Sequence, residues 1–119
     1  MSDDVLNVIH QFIPKNNIDI VGYVNHKEAM TYQRKSQLLL LIETDSEDTK
    51  AIIPGKLFEY MVADTPIISV GPRDSDVERI LKSTNTGHYF YYDAETELKD
   101  YLVSCFEANH KSYRFTAVQ

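Results

Sequence analysis

Ile53-Pro54-Gly55-Lys56-Leu57-Phe58-Glu59-Tyr60-Met61, followed by Thr65-Pro66-Ile67-Ile68-Ser69-Val70-Gly71, is the stretch from which the fold of this chain is read. A Pro-Gly pair sets a turn at the start of an apolar run with helical spacing, so a helix is expected over residues 55–63. The chain then turns through Asp64-Thr65-Pro66 into an apolar run, expected as a buried strand over 67–70 and ended by Gly71-Pro72. A helix start leaves backbone N–H groups without intrahelical acceptors, and these suit an anion. Glu59, one turn further in, offers a carboxylate to a pair of sugar hydroxyls.

Outward from this stretch, strands and helices alternate. Val5, Val8, Ile9 and Phe12 follow helical spacing behind a Ser2/Asp3 cap, and Pro14 ends that helix. Residues 18–24 read as a strand closed by Gly22 and Asn25. A weakly amphipathic helix follows over 26–35, and then an apolar strand over 37–42 that suits burial on both faces. Asp45 to Asp48 form an acidic loop ahead of the Pro-Gly turn.

Downstream, Asp74 or Ser75 caps a helix with Val77, Ile80 and Leu81 as its core face. Residues 88–92 form an aromatic strand whose Tyr89, Phe90, Tyr91 and Tyr92 are read as sheet packing. A final helix carries Leu98, Tyr101, Leu102, Cys105 and Phe106 on one face, extended less regularly by Tyr113 and Phe115. This order predicts an α/β fold: a Rossmann-like three-layer α/β/α arrangement around a mainly parallel sheet. Ligands in such sheets bind beyond the carboxyl ends of the strands. Two loops fall there, one from Gly22 to His26 and the other from Glu43 to Gly55.

Composition excludes several classes. The 119 residues carry a formal net charge of −6, the wrong sign for a nucleic-acid surface. The small cluster Gln33-Arg34-Lys35 reads as a solvated helix end. Cys105 is the sole cysteine, so no internal disulfide forms, and its place on an apolar helix face gives it a core role. The Met-Ser-Asp-Asp start has no signal-peptide character, and the run Leu38 to Ile42 is too short to span a bilayer. A soluble, cytoplasmic chain is expected, with no transmembrane segment. His10, His26, His88 and His110 lack metal-ligand spacing, and no metal is expected.

Taken in order, these segments resemble the donor-binding region of bacterial retaining glycosyltransferases of the family-4 type. The Pro-Gly-Lys helix and the Thr-Pro strand carry the signature. Val21-Gly22-Tyr23-Val24-Asn25-His26-Lys27-Glu28-Ala29, Ser36-Gln37-Leu38-Leu39-Leu40-Leu41-Ile42 and Ser83-Thr84-Asn85-Thr86-Gly87-His88 match its flanking elements. The likeness runs roughly from Ile18 to Leu102.

The resemblance implies a GT-B enzyme of two Rossmann-like domains. Residues 1–119 would be a single partial domain, the nucleotide-sugar-binding C-terminal part. The acceptor-binding N-terminal domain would be absent, together with the first two strand–helix units of the C-terminal domain. The parent would transfer a sugar from a nucleotide-sugar donor to a glycan or lipid-linked acceptor in polysaccharide biosynthesis, with a possible peripheral place at the inner membrane face. The fragment alone would be inactive, with no catalytic residue of its own and no cofactor beyond the nucleotide-sugar substrate.

By the same resemblance, Glu59 binds the ribose, the N–H groups of Gly55, Lys56 and Leu57 meet the diphosphate, and Tyr23 and Val24 contact the base. Other readings stay open. Glu59 pairs with Lys56 at i−3, Lys56 faces solvent, or Tyr23 is a half-buried aromatic at a strand end. A second glutamate, which in the family contacts the donor sugar, is replaced by Ala51, with Glu47 and Asp48 nearby. That departure favours an alternative, a non-catalytic interaction or nucleotide-binding module. A sugar-nucleotide epimerase of the same fold is a further alternative. If two strands are missing, the strand over 18–24 is expected to move inward, or the open edge to close by self-association.

Overall fold

The computed structural model describes residues 3–43, 53–109 and 115–118. Helix α1 (Asp3–Phe12) precedes a short 3-10 turn (Lys15–Asn17) and strand β1 (Ile18–Gly22). Then come α2 (His26–Lys35), β2 (Leu39–Ile42), α3 (Gly55–Ala63), β3 (Ile67–Gly71), α4 (Asp76–Thr84), β4 (Gly87–Tyr91), α5 (Glu95–Asn109) and β5 (Phe115–Val118).

Local chemistry sets the helix limits. Asn25 accepts the Glu28 N–H at 2.8 Å and donates its amide to Glu28 Oε1 at 3.0 Å, a reciprocal box that starts α2. Ser75 starts α4 by accepting the Val77 N–H at 3.1 Å. α3 and α4 both stop at left-handed residues, Asp64 (φ 58°) and Asn85 (φ 55°), side chains that tolerate this backbone better than most.

Strands β2, β3 and β4 form a parallel sheet in that order, with Leu39 beside Ile67 and Ile67 beside Gly87. Laterally paired residues share a face. Leu41 and Ile67 therefore point the same way and pack with Leu57 of α3 and with Val77 and Leu81 of α4. Tyr60, Met61, Ile80 and Tyr89 surround this cluster. Full burial of a leucine such as Leu57 contributes about 2–3 kcal/mol.

On the opposite face α5 lays Tyr101 against His88 and Phe90, at ring separations of 4.5 and 5.7 Å. Phe90 thus packs between sheet and helix and Tyr89 borders the core on the other face, whereas Tyr92 lies beyond the strand and is exposed. The molecule is an α/β protein with a parallel sheet flanked by helices, compatible with a Rossmann-like α/β/α fold.

The structure departs from expectation in three places. β1 does not enter the three-stranded sheet. Instead it pairs in parallel with β5, Ile18 beside Phe115, as a separate two-stranded unit. β5 falls where Phe115 was read as an extension of the last helix.

Among the described residues β2 is an edge strand and is not buried on both faces: Leu40 and Ile42 are 50% and 66% exposed. Its Leu39 and Glu43 N–H groups bond Pro66 and Val70 of the β3 segment, so the polar groups of Leu40 and Ile42 turn outward. The Tyr60 hydroxyl donates to the Leu40 carbonyl there, at 3.2 Å.

The third departure is in α5, which buries a narrower stripe than its period predicts. Leu98, Tyr101 and Cys105 are half-buried while Leu102 and Phe106 are exposed, because β4 is the strand that this helix contacts most.

Candidate functional site

Pro54 precedes α3 and has no side-chain oxygen to cap it. Gly55 and Lys56 are exposed at the helix start. Among the described residues, no acceptor meets their N–H groups. Leu57 differs. Its N–H bonds the Pro54 carbonyl at 3.1 Å and its side chain is fully buried in the core. Its amide thus bonds within the first turn of its own helix, unlike those of Gly55 and Lys56.

Glu59 lies one turn along, half-exposed, with Oε1 3.5 Å from His26 Nδ1. Among the described residues it makes no ion pair with Lys56. The contact crosses between helices and brings the start of α2 to the middle of α3, two segments far apart in sequence. Gly22 opens the β1–α2 turn with φ +78° and open space about its Cα. Val24 is half-buried. Tyr23 is 87% exposed, so it does not cap the strand end as a half-buried aromatic. Glu47, Asp48 and Ala51 lie outside the described residues.

A second cluster occupies the carboxyl ends of the strands, and the sequence reading missed it. Glu43, directly after β2, is 3% exposed. Ser75 donates to its carboxylate at 2.9 Å and Tyr89 at 2.5 Å. Tyr92 donates to its backbone carbonyl, and its N–H bonds Val70 at 2.8 Å. A Cβ on Gly71 would lie 2.3 Å from Glu43 Oε2 and 2.2 Å from the Tyr89 hydroxyl, so only glycine leaves room for this carboxylate. Burial and then the Glu43 hydrogen bond push the Tyr89 phenol well above its ordinary range. The available signal was the combination of an acid ending an apolar strand with a strand-terminal Gly71 and a capping Ser75.

Alongside, Glu78 of α4 accepts from Tyr91 at 2.5 Å and Lys82 at 2.9 Å. Burial raises the Glu78 carboxyl, but these hydrogen bonds and the Lys82 charge outweigh it and hold the group below its ordinary value. Arg73 lies 4.3 Å over the Tyr91 ring and pairs with Asp93 at 3.2 Å. Two open depressions, of about 480 and 240 Å³, are lined here by Arg73, Tyr91 and Asp93 among others. None of Tyr23, Val24, Gly55, Lys56, Leu57 and Glu59 lines either one. The Glu43 cluster has its hydrogen bonds internally satisfied and ties three strands to α4, whereas the α3 start presents outward-facing donors beside an accessible carboxylate.

Among the described residues no group of three or more His, Cys, Asp or Glu side chains is placed to hold a metal ion. None of their helices is long and apolar enough to cross a membrane. Comparison with protein-family models, curated proteins and solved structures finds no match.

Proposed function

We propose that this chain is the donor-nucleotide-binding part of a glycosyltransferase, the α3 start taking the diphosphate of a nucleotide sugar and Glu59 its ribose. The observation that carries this reading is the 3.5 Å approach of His26 to Glu59. It brings the first residue of α2, which follows the β1–α2 turn, to an accessible carboxylate on α3, the helix that Gly55 and Lys56 begin. Backbone donors and the helix dipole favour the anion, and a carboxylate accepts from a vicinal diol. Lys56 adds positive charge beside the phosphates.

In this reading Tyr23 and Val24 flank the base. The site works by binding and by stabilising charge on the departing nucleoside diphosphate. It contributes no catalytic acid or base and needs no cofactor. The transfer itself belongs to the enzyme of which this is a part, acting on the cytoplasmic side.

Titration calorimetry of the chain with UDP and GDP tests this reading. Glu59→Ala is expected to weaken nucleotide binding about tenfold or more, the value of hydrogen bonds to a charged group. Unchanged affinity in that variant removes the donor-site reading.

A further inference from the structure

His26 enters the site from a different helix than Glu59, and its placement is fixed at both ends of α2. At the start, the Asn25–Glu28 box holds the first helical turn, of which His26 is the first residue. At the end, the buried Thr65 hydroxyl donates to the Gln33 carbonyl at 3.0 Å. This bond ties α2 to the connection between α3 and β3. The His26 backbone is therefore set in the same frame that carries Glu59.

Both side chains are accessible to water, with 75% of His26 and 39% of Glu59 exposed. A pair in such surroundings contributes little to folding. Its physical effect is directional. The imidazole edge that faces Oε1 at 3.5 Å limits where the carboxylate can swing, and Oε2 remains for an incoming donor.

A free glutamate side chain loses rotamer entropy when it is fixed against a ligand, and part of that cost disappears when a neighbour already holds it. A diol has two hydroxyls at a set separation and gains most from a carboxylate fixed in one plane. A single hydroxyl gains less. Resting on the donor-site reading above, we infer that His26 is a positioning residue: it orients the Glu59 carboxylate and thereby sets the preference for ribonucleotides over 2′-deoxyribonucleotides.

The test is the ratio of two dissociation constants, for UDP or GDP (whichever binds the chain more tightly) and for its 2′-deoxy counterpart. The unaltered chain is expected to favour the ribonucleotide about tenfold, one charge-assisted hydrogen bond's worth. His26→Ala is expected to reduce that ratio about threefold or more while leaving the 2′-deoxynucleotide constant in place. His26→Asn, whose amide nitrogen overlies Nδ1, keeps the ratio, and His26→Gln, whose amide lies further out, loses it.

An unchanged ratio in His26→Ala overturns the inference, as does an equal weakening of both nucleotides, which a merely structural role would produce. A separate outcome addresses the underlying reading. A ratio unaffected by Glu59→Ala, or no nucleotide binding to the chain, removes the donor site itself and the role of His26 with it. Because the pair is exposed, His26→Ala is expected to melt with the unaltered chain. Should it not fold, the contrast between His26→Asn and His26→Gln decides alone.

Discussion

The two parallel sheets among the described residues have been built to different standards. The three-stranded sheet has α3 and α4 on one face and α5 on the other, and it seals Leu57, Ile67, Val77 and Leu81 from water. The β1–β5 ladder has only two strands, and α1 beside it in sequence leaves Val8 53% and Phe12 80% exposed. Parallel strands owe their stability to coverage on both faces, and a two-stranded ribbon has too little apolar surface to close on itself. Hydrogen bonding alone therefore does not make a region stable; the side chains behind it do.

Leucine truncation should expose the difference most strongly. Leu57→Ala is expected to cost about 2–5 kcal/mol in denaturant unfolding, the range for a buried leucine that leaves a cavity. Phe12→Ala, in an exposed position, should stay within about 0.5 kcal/mol. Equal losses would show that α1 is packed as firmly as α3, and the contrast would fall.

A smaller effect compares the two glycines that end strands, Gly22 and Gly71. Gly71→Ala drives a methyl group into Glu43 and Tyr89 and is expected to cost about 1–3 kcal/mol. Gly22→Ala meets open space and loses only through its left-handed backbone, about 1 kcal/mol. The side-chain partners make the measurement specific: in a Glu43→Ala background the Gly71→Ala cost should shrink, while the Gly22→Ala cost should not.

The mildest probe is pH. The phenols of Tyr89 and Tyr60 are both raised, each chiefly by burial and then by a neighbouring glutamate. A phenol with a raised folded value resists ionisation in the native state and ionises more readily when unfolded. Its stabilisation is complete below about pH 10 and declines as pH rises above that value. Melting temperatures should fall over this alkaline window, and Tyr89→Phe should flatten the decline. Glu78 acts in the opposite direction: its depressed value stabilises the fold above about pH 4.3, and that contribution disappears on acidification.

Much of the architecture was legible because local chemistry wrote it. The bounds of α2 and α3 follow from Asn25, from Pro54-Gly55 and from the Asp64 stop, all decided within a turn of the helix end. The core of α4 was equally plain from Val77, Ile80 and Leu81. What escaped was non-local. Nothing in Phe115 or its neighbours announces a partner as distant as Ile18, so β5 passed for an extension of a helix face. β2 reads as doubly buried because four apolar residues look the same whether or not a neighbour covers them.

The candidate site divides the same way. Glu59 and the helix start were visible as residues, and the approach of His26 was not, because it depends on how α2 docks. The bond from the Leu57 amide to Pro54 was likewise not visible as a residue pattern, because it depends on how tightly the first turn closes. Glu43 passed for no more than the first residue of the loop that runs to Gly55, since its partners Ser75 and Tyr89 are remote in sequence.

The bond from Tyr60 to the Leu40 carbonyl has a consequence for how this protein behaves at high concentration. An uncharged edge of consecutive leucines ending in isoleucine, with no proline or lysine to interrupt it, is a template on which further copies add as strands. A phenol seated on one of its outward acceptors obliges any incoming strand to displace it first. Strand addition at Leu40 therefore has to break this hydrogen bond first, and Tyr60→Phe removes that obstacle.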